Sequence, residues 1–181
     1  TNHAPYSKRA MVAEMVEVMR SLGFERFAVV GHDRGARVAY RMAFDHPGVV
    51  TKIASLDVVP TLTMWETMDW TRANRAFHWL FLIQPNGLPE RLIGADPQFW
   101  LDECLRRWAA PGFAFAPEAQ AEYRRCFSDP AVIHATCEDY RAGATIDVEH
   151  DRTDHGRRKI GCPMLALWGE QGLARRSADP L

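Results

Sequence analysis

The residues best suited to chemistry are Gly31-His32-Asp33-Arg34-Gly35. The apolar run Phe27-Ala28-Val29-Val30 predicts a short buried strand before them, and Ala36 to Phe44 predicts a helix after them. Gly-x-Asp-x-Gly between a strand and a helix is the pattern of a nucleophile elbow, with aspartate where serine is the commoner occupant. The two glycines let a tight turn pass close to its neighbours, which lifts the Asp33 side chain off the sheet edge. The helix N-terminus below it offers backbone N–H groups and a positive dipole end, a setting that suits an anionic nucleophile. A carboxylate attacking an ester would give a strained anhydride. Attacking an sp3 carbon that bears a leaving group, it gives an ordinary ester, which water can cleave. That chemistry selects alkyl halides or epoxides.

Other residues could serve the same reaction. Arg34 and Arg37 are three positions apart, on one face at the start of the expected helix. Two cations there oppose the helix dipole and each other, so stability alone does not ask for them. They are either surface arginines paired with acids or a grip for a substrate carboxylate, which guanidinium groups hold in a bidentate way. Asp57 follows Ile53-Ala54-Ser55-Leu56, a second expected strand, and so lies on the same carboxyl-end rim as Asp33. A turn-forming or capping role and the role of orienting a catalytic histidine both fit it. Phe77-His78-Trp79-Leu80-Phe81-Leu82 is apolar all round and predicts a helix buried on every side, with Phe77, Leu80 and Phe81 as core. His78 and Trp79 each carry an N–H that needs a partner when buried. They are satisfied core residues or donors for a departing anion.

Gly31-His32-Asp33-Arg34-Gly35-Ala36-Arg37 resembles the elbow of the haloacetate (fluoroacetate) dehalogenases of the α/β-hydrolase superfamily. Leu56-Asp57-Val58-Val59-Pro60, Phe77-His78-Trp79 and Cys137-Glu138-Asp139-Tyr140-Arg141-Ala142-Gly143 resemble later landmarks of that family, and the similarity runs from about Pro5 to Gly169. The resemblance implies Asp33 as nucleophile, Asp57 as the acid orienting a histidine, and Arg34 and Arg37 as ligands of the substrate carboxylate. It implies a halide pocket of His78, Trp79 and Tyr140, although spacing alone makes Tyr140 only a helix-end tyrosine. It implies no cofactor and no metal. A small haloacid is the implied partner, and a homodimer the implied assembly, for which the sequence shows no interface.

The elements that must position these residues follow from periodicity and punctuation. Met11, Met15, Val18, Met19 and Leu22 recur at helical spacing, with Gly23 as a stop. The elbow helix should end at His46-Pro47, because proline disfavours helical geometry in the residue before it. Five of the six tryptophans fall between Pro60 and Lys159, where Asp96-Pro97 and Ser128-Asp129-Pro130 are helix starts and no strand is evident. Ala116-Pro117-Glu118 offers a start without a capping side chain. Met164-Leu165-Ala166-Leu167-Trp168-Gly169 returns to a strand and turn. The expected fold is α/β, a partial parallel sheet with an inserted all-helical cap. Residues 1–60 form the core with the elbow at 31–35, residues 61–159 the cap, and residues 160–181 the resumed core.

Several function classes are excluded on bulk grounds. A net charge of −1 in 181 residues gives no electrostatic case for nucleic acid or a membrane surface. No apolar run suits a membrane span and nothing resembles a signal peptide. The four cysteines show no C-x-x-C pair or zinc spacing, which fits reduced thiols in the cytoplasm. His134, His150 and His155, 16 and 5 apart, offer no helical ligand pair of histidines. None of the seven histidines follows the last expected strand, where the family carries its general base. The expectation is an internal fragment that lacks the N-terminal strands and the catalytic histidine, and does not turn over alone. Two other readings stay open: an epoxide hydrolase using Tyr123 and Tyr140 as donors, and a non-catalytic small-molecule binding relative.

Overall fold

The computed structural model describes residues 3–170 and 172. Helix α1 (Lys8–Ser21) is capped by the Ser7 hydroxyl, which accepts from Ala10 N at 3.2 Å, and it gives way to Gly23 at φ 84°. Strand β1 (Phe27–His32), helix α2 (Arg34–Asp45) and strand β2 (Val50–Leu56) follow as a crossover unit, and strand β3 (Met164–Leu167) is added after a long excursion. The strands pair in parallel in the order β1-β2-β3, with Val30 opposite Ala54 and Ala54 opposite Leu165. Residues 61–159 hold helices and, as described, no strand. These are α3 (Thr61–Glu66), α4 (Trp70–Arg75), α5 (Phe77–Leu82), α6 (Leu88–Ala95), α7 (Pro97–Trp108), α8 (Pro117–Phe127), α9 (Pro130–Ala144) and α10 (Ile146–Asp154). Asp96 caps α7 through Phe99 N, Pro97 takes its first turn, and α8 opens on Pro117 with no capping side chain.

Two compact units result. One holds the chain up to Ala76 together with the chain from Ala142 onward, and the other is Phe77–Arg141. Helices α3, α4 and α10 therefore group with the sheet.

The core of the first unit is Val12, Val16, Ala39, Tyr40, Met42, Ala43, Val50 and Ile53, where α1 and α2 cover one face of the sheet. The buried face of α1 is not the one its apolar spacing suggests. Val12, Val16 and Lys8 are buried, whereas Met15, Val18 and Leu22 are exposed. Lys8 goes inside because Asp147 meets it there: its N–H donates to Asp147 Oδ1 at 2.9 Å and its Nζ lies 3.5 Å from Oδ2. Strand β1 also differs from the expected buried run. Its residues alternate between faces, so Phe27 and Val29 pack against the core cluster while Ala28 and Val30 face outward, Val30 at 71% exposure.

One buried cation ties α2 to α10. Arg41, 2% exposed, donates to Asp154 Oδ2 at 2.5 Å, Asp151 Oδ1 at 3.0 Å and Asp45 Oδ1 at 3.3 Å. Burial by itself would raise the pKa values of Asp45 and Asp154. Hydrogen bonds and charge from Arg9 and Arg41 on the first, and from Arg41 and Arg158 on the second, outweigh it and hold both below the ordinary value of 3.8. Folded values below the unfolded one mean that this stabilisation is complete above the ordinary value and disappears as pH falls through the lower folded values. Arg41→Met should cost about 3–5 kcal/mol at neutral pH, because three carboxylates lose their shared cation. That deficit should shrink on acidification, as the aspartates protonate and need no partner. Urea unfolding of both proteins across the acid range checks this, and a deficit that stays constant would contradict it.

Candidate active site

The turn between β1 and α2 is strained at its centre. Asp33 has φ 50° and ψ −122°, a region that side chains rarely adopt, and its peptide N–H donates to Leu56 O at 3.3 Å across the end of the sheet. The bend is tight because α2 rises directly against the strand it follows. A Cβ on Gly31 would stand 2.4 Å from Gly35 O and 2.6 Å from Ala36 Cα, backbone atoms that cannot yield. A Cβ on Gly35 would meet nothing within 4 Å, so of the two glycines only Gly31 is required by the packing. The result is an exposed aspartate perched above the first turn of a helix, whose backbone N–H groups favour negative charge.

Asp57 ends the neighbouring strand and is likewise left-handed, at φ 57°. Its N–H donates to Leu167 O at 2.7 Å, and its Oδ1 accepts from Gly169 N at 3.2 Å. The parallel register thus places Asp33 and Asp57 on one rim, with the carboxylate of Asp57 facing the loop after β3. The expected arginine pair sits just behind that rim. Arg37 is 3% exposed and its Nη1 donates to the Thr61 hydroxyl at 3.0 Å. Arg34 is half-buried, with its guanidinium laid over Gly143, where a Cβ would come within 3.3 Å of Nη2. Gly143 is itself pinned by Trp65, whose indole Nε1 donates to its carbonyl at 2.8 Å.

In the second unit His78, Trp79 and Tyr140 converge. The Tyr140 ring stands edge-on to both His78 and Trp79 at centroid separations of 5.6 Å, and all three are buried. Tyr140 lies inside α9 rather than at a helix end. Leu80, expected in the core, is 38% exposed, and Phe77 and Phe81 are only partly buried, since α5 is six residues long and its covered side is His78, Trp79 and Leu82. Glu138 and Arg141 of the same motif form an ion cluster with Glu90: Arg141 Nη1 is 2.5 Å from Glu90 Oε1 and 2.9 Å from Glu138 Oε1. His134 Nδ1 lies 3.3 Å from Glu90 Oε1, so Glu90, His134 and Glu138 bring potential metal-ligand atoms within 4.8 Å of one another. His134 and Glu138 stand at i, i+4, a spacing that involves one histidine and so gives no histidine-pair signal. Arg141 already bridges the two carboxylates and offsets one of their two charges. A concavity of about 590 Å³ beside the α7–α8 loop, lined by Phe113, Phe115, Leu105 and the Arg124–Asp102 ion pair, contains none of the expected site residues.

The α/β hydrolase fold family model matches residues 2–174. The chain belongs to the α/β hydrolase fold family. It is 51% identical over 173 residues to the fluoroacetate dehalogenase of a Burkholderia species, covering 95% of this chain and 57% of that protein. It is 30% identical to the soluble epoxide hydrolase of a Corynebacterium species, covering 91% of this chain and again 57% of the relative. Among solved structures, a Nostoc sp PCC 7120 protein provisionally classed as an α/β hydrolase superposes with a TM-score of 0.94 at 58% identity, covering 99% of this chain and 61% of that one. A Pseudomonas aeruginosa protein provisionally classed as an epoxide hydrolase gives 0.90 at 51% identity, with 94% and 57% covered. The chain therefore spans about 57% of the length of each of these two relatives.

The elbow should show opposite responses at two neighbouring positions. Asp33→Gly relieves the left-handed strain and should raise stability by about 1 kcal/mol while removing the carboxylate. Gly31→Ala drives a methyl group into backbone and should cost about 3 kcal/mol. Urea midpoints of the two variants test the pair, and a stabilised Gly31→Ala or a destabilised Asp33→Gly would contradict the strained-elbow account.

Proposed function

We propose that the protein carrying this chain hydrolyses haloacetates, such as chloroacetate or fluoroacetate, to glycolate and halide through an ester on Asp33. The observation that carries the reading is the pairing of an exposed aspartate at a strained elbow with two arginines seated on the helix that follows. The 51% identity to a fluoroacetate dehalogenase supports it. A carboxylate oxygen of Asp33 attacks the carbon bearing the halogen in line. The carbon–oxygen bond forms as the carbon–halogen bond breaks, and the halide leaves with the bonding electron pair. Arg34 and Arg37 hold the substrate carboxylate and so fix the attack geometry. Donors on His78, Trp79 and Tyr140 stabilise the departing halide. In the second half-reaction water attacks the ester carbonyl, the glycolate oxygen departs and Asp33 is regenerated. The backbone N–H of Arg34 is one oxyanion donor in that step, and Asp57 orients a histidine base. The reaction needs neither metal nor cofactor. The four cysteines are free thiols, in keeping with a cytoplasmic setting. None of the seven histidines follows β3. The first half-reaction is thus the one this chain's own residues carry, and the chain alone should accumulate the ester.

A second reading has a specific observation behind it, the 30% identity to a soluble epoxide hydrolase. That chemistry uses the same aspartate with hydroxyl donors aimed at the epoxide oxygen. Tyr140 is buried whereas Tyr123 is 43% exposed. A neutral epoxide gives Arg34 and Arg37 no anion to bind.

Incubation of the chain with chloroacetate followed by peptide mass spectrometry should find one carboxymethyl group on the peptide containing Asp33. Chloride release should match it mole for mole. Repeated turnover would defeat the stalled-ester expectation, and an unmodified Asp33 the nucleophile assignment. Arg37→Ala should slow the alkylation roughly 100-fold, the scale expected when positioning is lost. Diol formation from styrene oxide with no chloride from chloroacetate would favour the epoxide reading.

A further inference from the structure

We propose that Thr61, held by Tyr40 and Asp151, is the positioning residue for the Arg37 guanidinium, and so governs how tightly the site grips a small carboxylate. The inference rests on the carboxylate-binding reading of Arg37 given above. Thr61 is 1% exposed, the first residue of α3, and its hydroxyl accepts from Arg37 Nη1 at 3.0 Å. A hydroxyl rotor oriented by nothing else would be a poor anchor. This one has a second contact, the Tyr40 hydroxyl at 3.0 Å. Tyr40 carries one proton and has two oxygen neighbours, Thr61 and the Asp151 carboxylate, whose Oδ2 lies at 2.9 Å. The carboxylate is the stronger acceptor, so the Tyr40 proton goes to Asp151. Tyr40 oxygen is then left to accept from the Thr61 hydroxyl, and it also accepts from the Thr61 N–H at 3.1 Å. Every proton in the chain Arg37–Thr61–Tyr40–Asp151 thereby has one direction.

The far end of the chain is equally fixed. Asp151 Oδ1 accepts from Arg41 Nη2 at 3.0 Å, and its Oδ2 accepts from Leu62 N at 3.1 Å. Burial first, and the Asp151 charge second, push the Tyr40 pKa up to about 12, so its proton stays in place throughout the neutral range. Arg37 and Arg41 lie one helical turn apart on α2, each meeting a different end of the chain.

The consequence for binding is geometric. A guanidinium is a planar fork, and a bidentate hold on a carboxylate requires that plane to be set in advance. A hydrogen bond at Nη1 sets it. An acid of two carbons offers little besides its carboxylate for alignment, so a loosened fork weakens binding directly. A neutral analogue of the same shape gains nothing from the fork and should not register the change.

Acetate and acetamide, titrated into the protein as encoded by its gene and followed by NMR, test the assignment without requiring turnover. Thr61→Val keeps the shape and removes the acceptor. It should raise the acetate dissociation constant roughly tenfold, as for one lost hydrogen bond to a charged group, and leave acetamide unchanged. Thr61→Ser should restore acetate binding to within about twofold of the wild type. Tyr40→Phe, whose ring still packs edge-on against Phe44, should weaken acetate by a smaller factor. It serves as the test if Thr61→Val does not fold. Unchanged acetate binding in Thr61→Val and Tyr40→Phe, or an equal loss for acetamide, would overturn the positioning role. Unchanged acetate binding in Arg37→Ala would instead overturn the carboxylate reading on which it rests.

Discussion

A buried guanidinium has to be neutralised where it sits, and Arg41 makes that requirement the organising constraint of the first unit. Leaving it unpaired would be strongly unfavourable, so acidic groups must come to it. Asp45 comes from one turn along the same helix, and Asp151 and Asp154 come from α10, more than 100 residues away in sequence. Once α10 is fixed in this way, the second oxygen of Asp151 is fixed as well. Tyr40 and the first turn of α3 dock on it. The net stabilisation from such a cluster can be small, because desolvation offsets much of the attraction. Its effect is on geometry: few arrangements satisfy one cation and three carboxylates at once, and the observed arrangement also presents Thr61 to Arg37.

The elbow imposes a separate and more local constraint. Gly31 lets α2 start in contact with the strand, and Asp33 accepts an unfavourable backbone conformation at the apex. Strain of this kind persists only when the surroundings over-determine it. Here the strand ladder on one side and the packing of Ala36, Ala39 and Ala43 under the sheet on the other supply that support. The same short stretch therefore encodes the turn and places the Asp33 carboxylate at its apex.

That locality explains what could be read from the sequence. The elbow, the helix starts at Asp96-Pro97 and Asp129-Pro130, the strand at 164–167 and the shared rim of Asp33 and Asp57 all follow from neighbours within a few residues, or from the parallel sheet rule. The errors lie where a distant partner decides. The face of α1 turned because Asp147 receives Lys8. The outward side of β1 stayed open because α1 and α2 cover only one face, although apolar residues on both sides of a strand suit a sheet covered twice. Leu80 lost its place in the core because a helix of six residues has too few positions to be covered all round. Thr61, Tyr40 and Asp151 gave no signal, since a threonine after a proline, a tyrosine in a helix and an aspartate among other acids are each ordinary.

The arrangement also bears on why a nucleophilic aspartate would be coupled to arginines at all. Two cations in the first turn of a helix oppose its dipole, and a carboxylate nucleophile directly before them would be drawn toward their charge. Free to swing, either arginine could pair with Asp33 and occupy the carboxylate proposed to attack. The structure gives each guanidinium another seat: Arg34 over the bare face of Gly143, and Arg37 on the Thr61 hydroxyl. Seats made of a glycine and a neutral hydroxyl anchor a cation without supplying an anion of their own. In the proposed reaction such seats would fix each guanidinium beside the attacking carboxylate within one short helix turn.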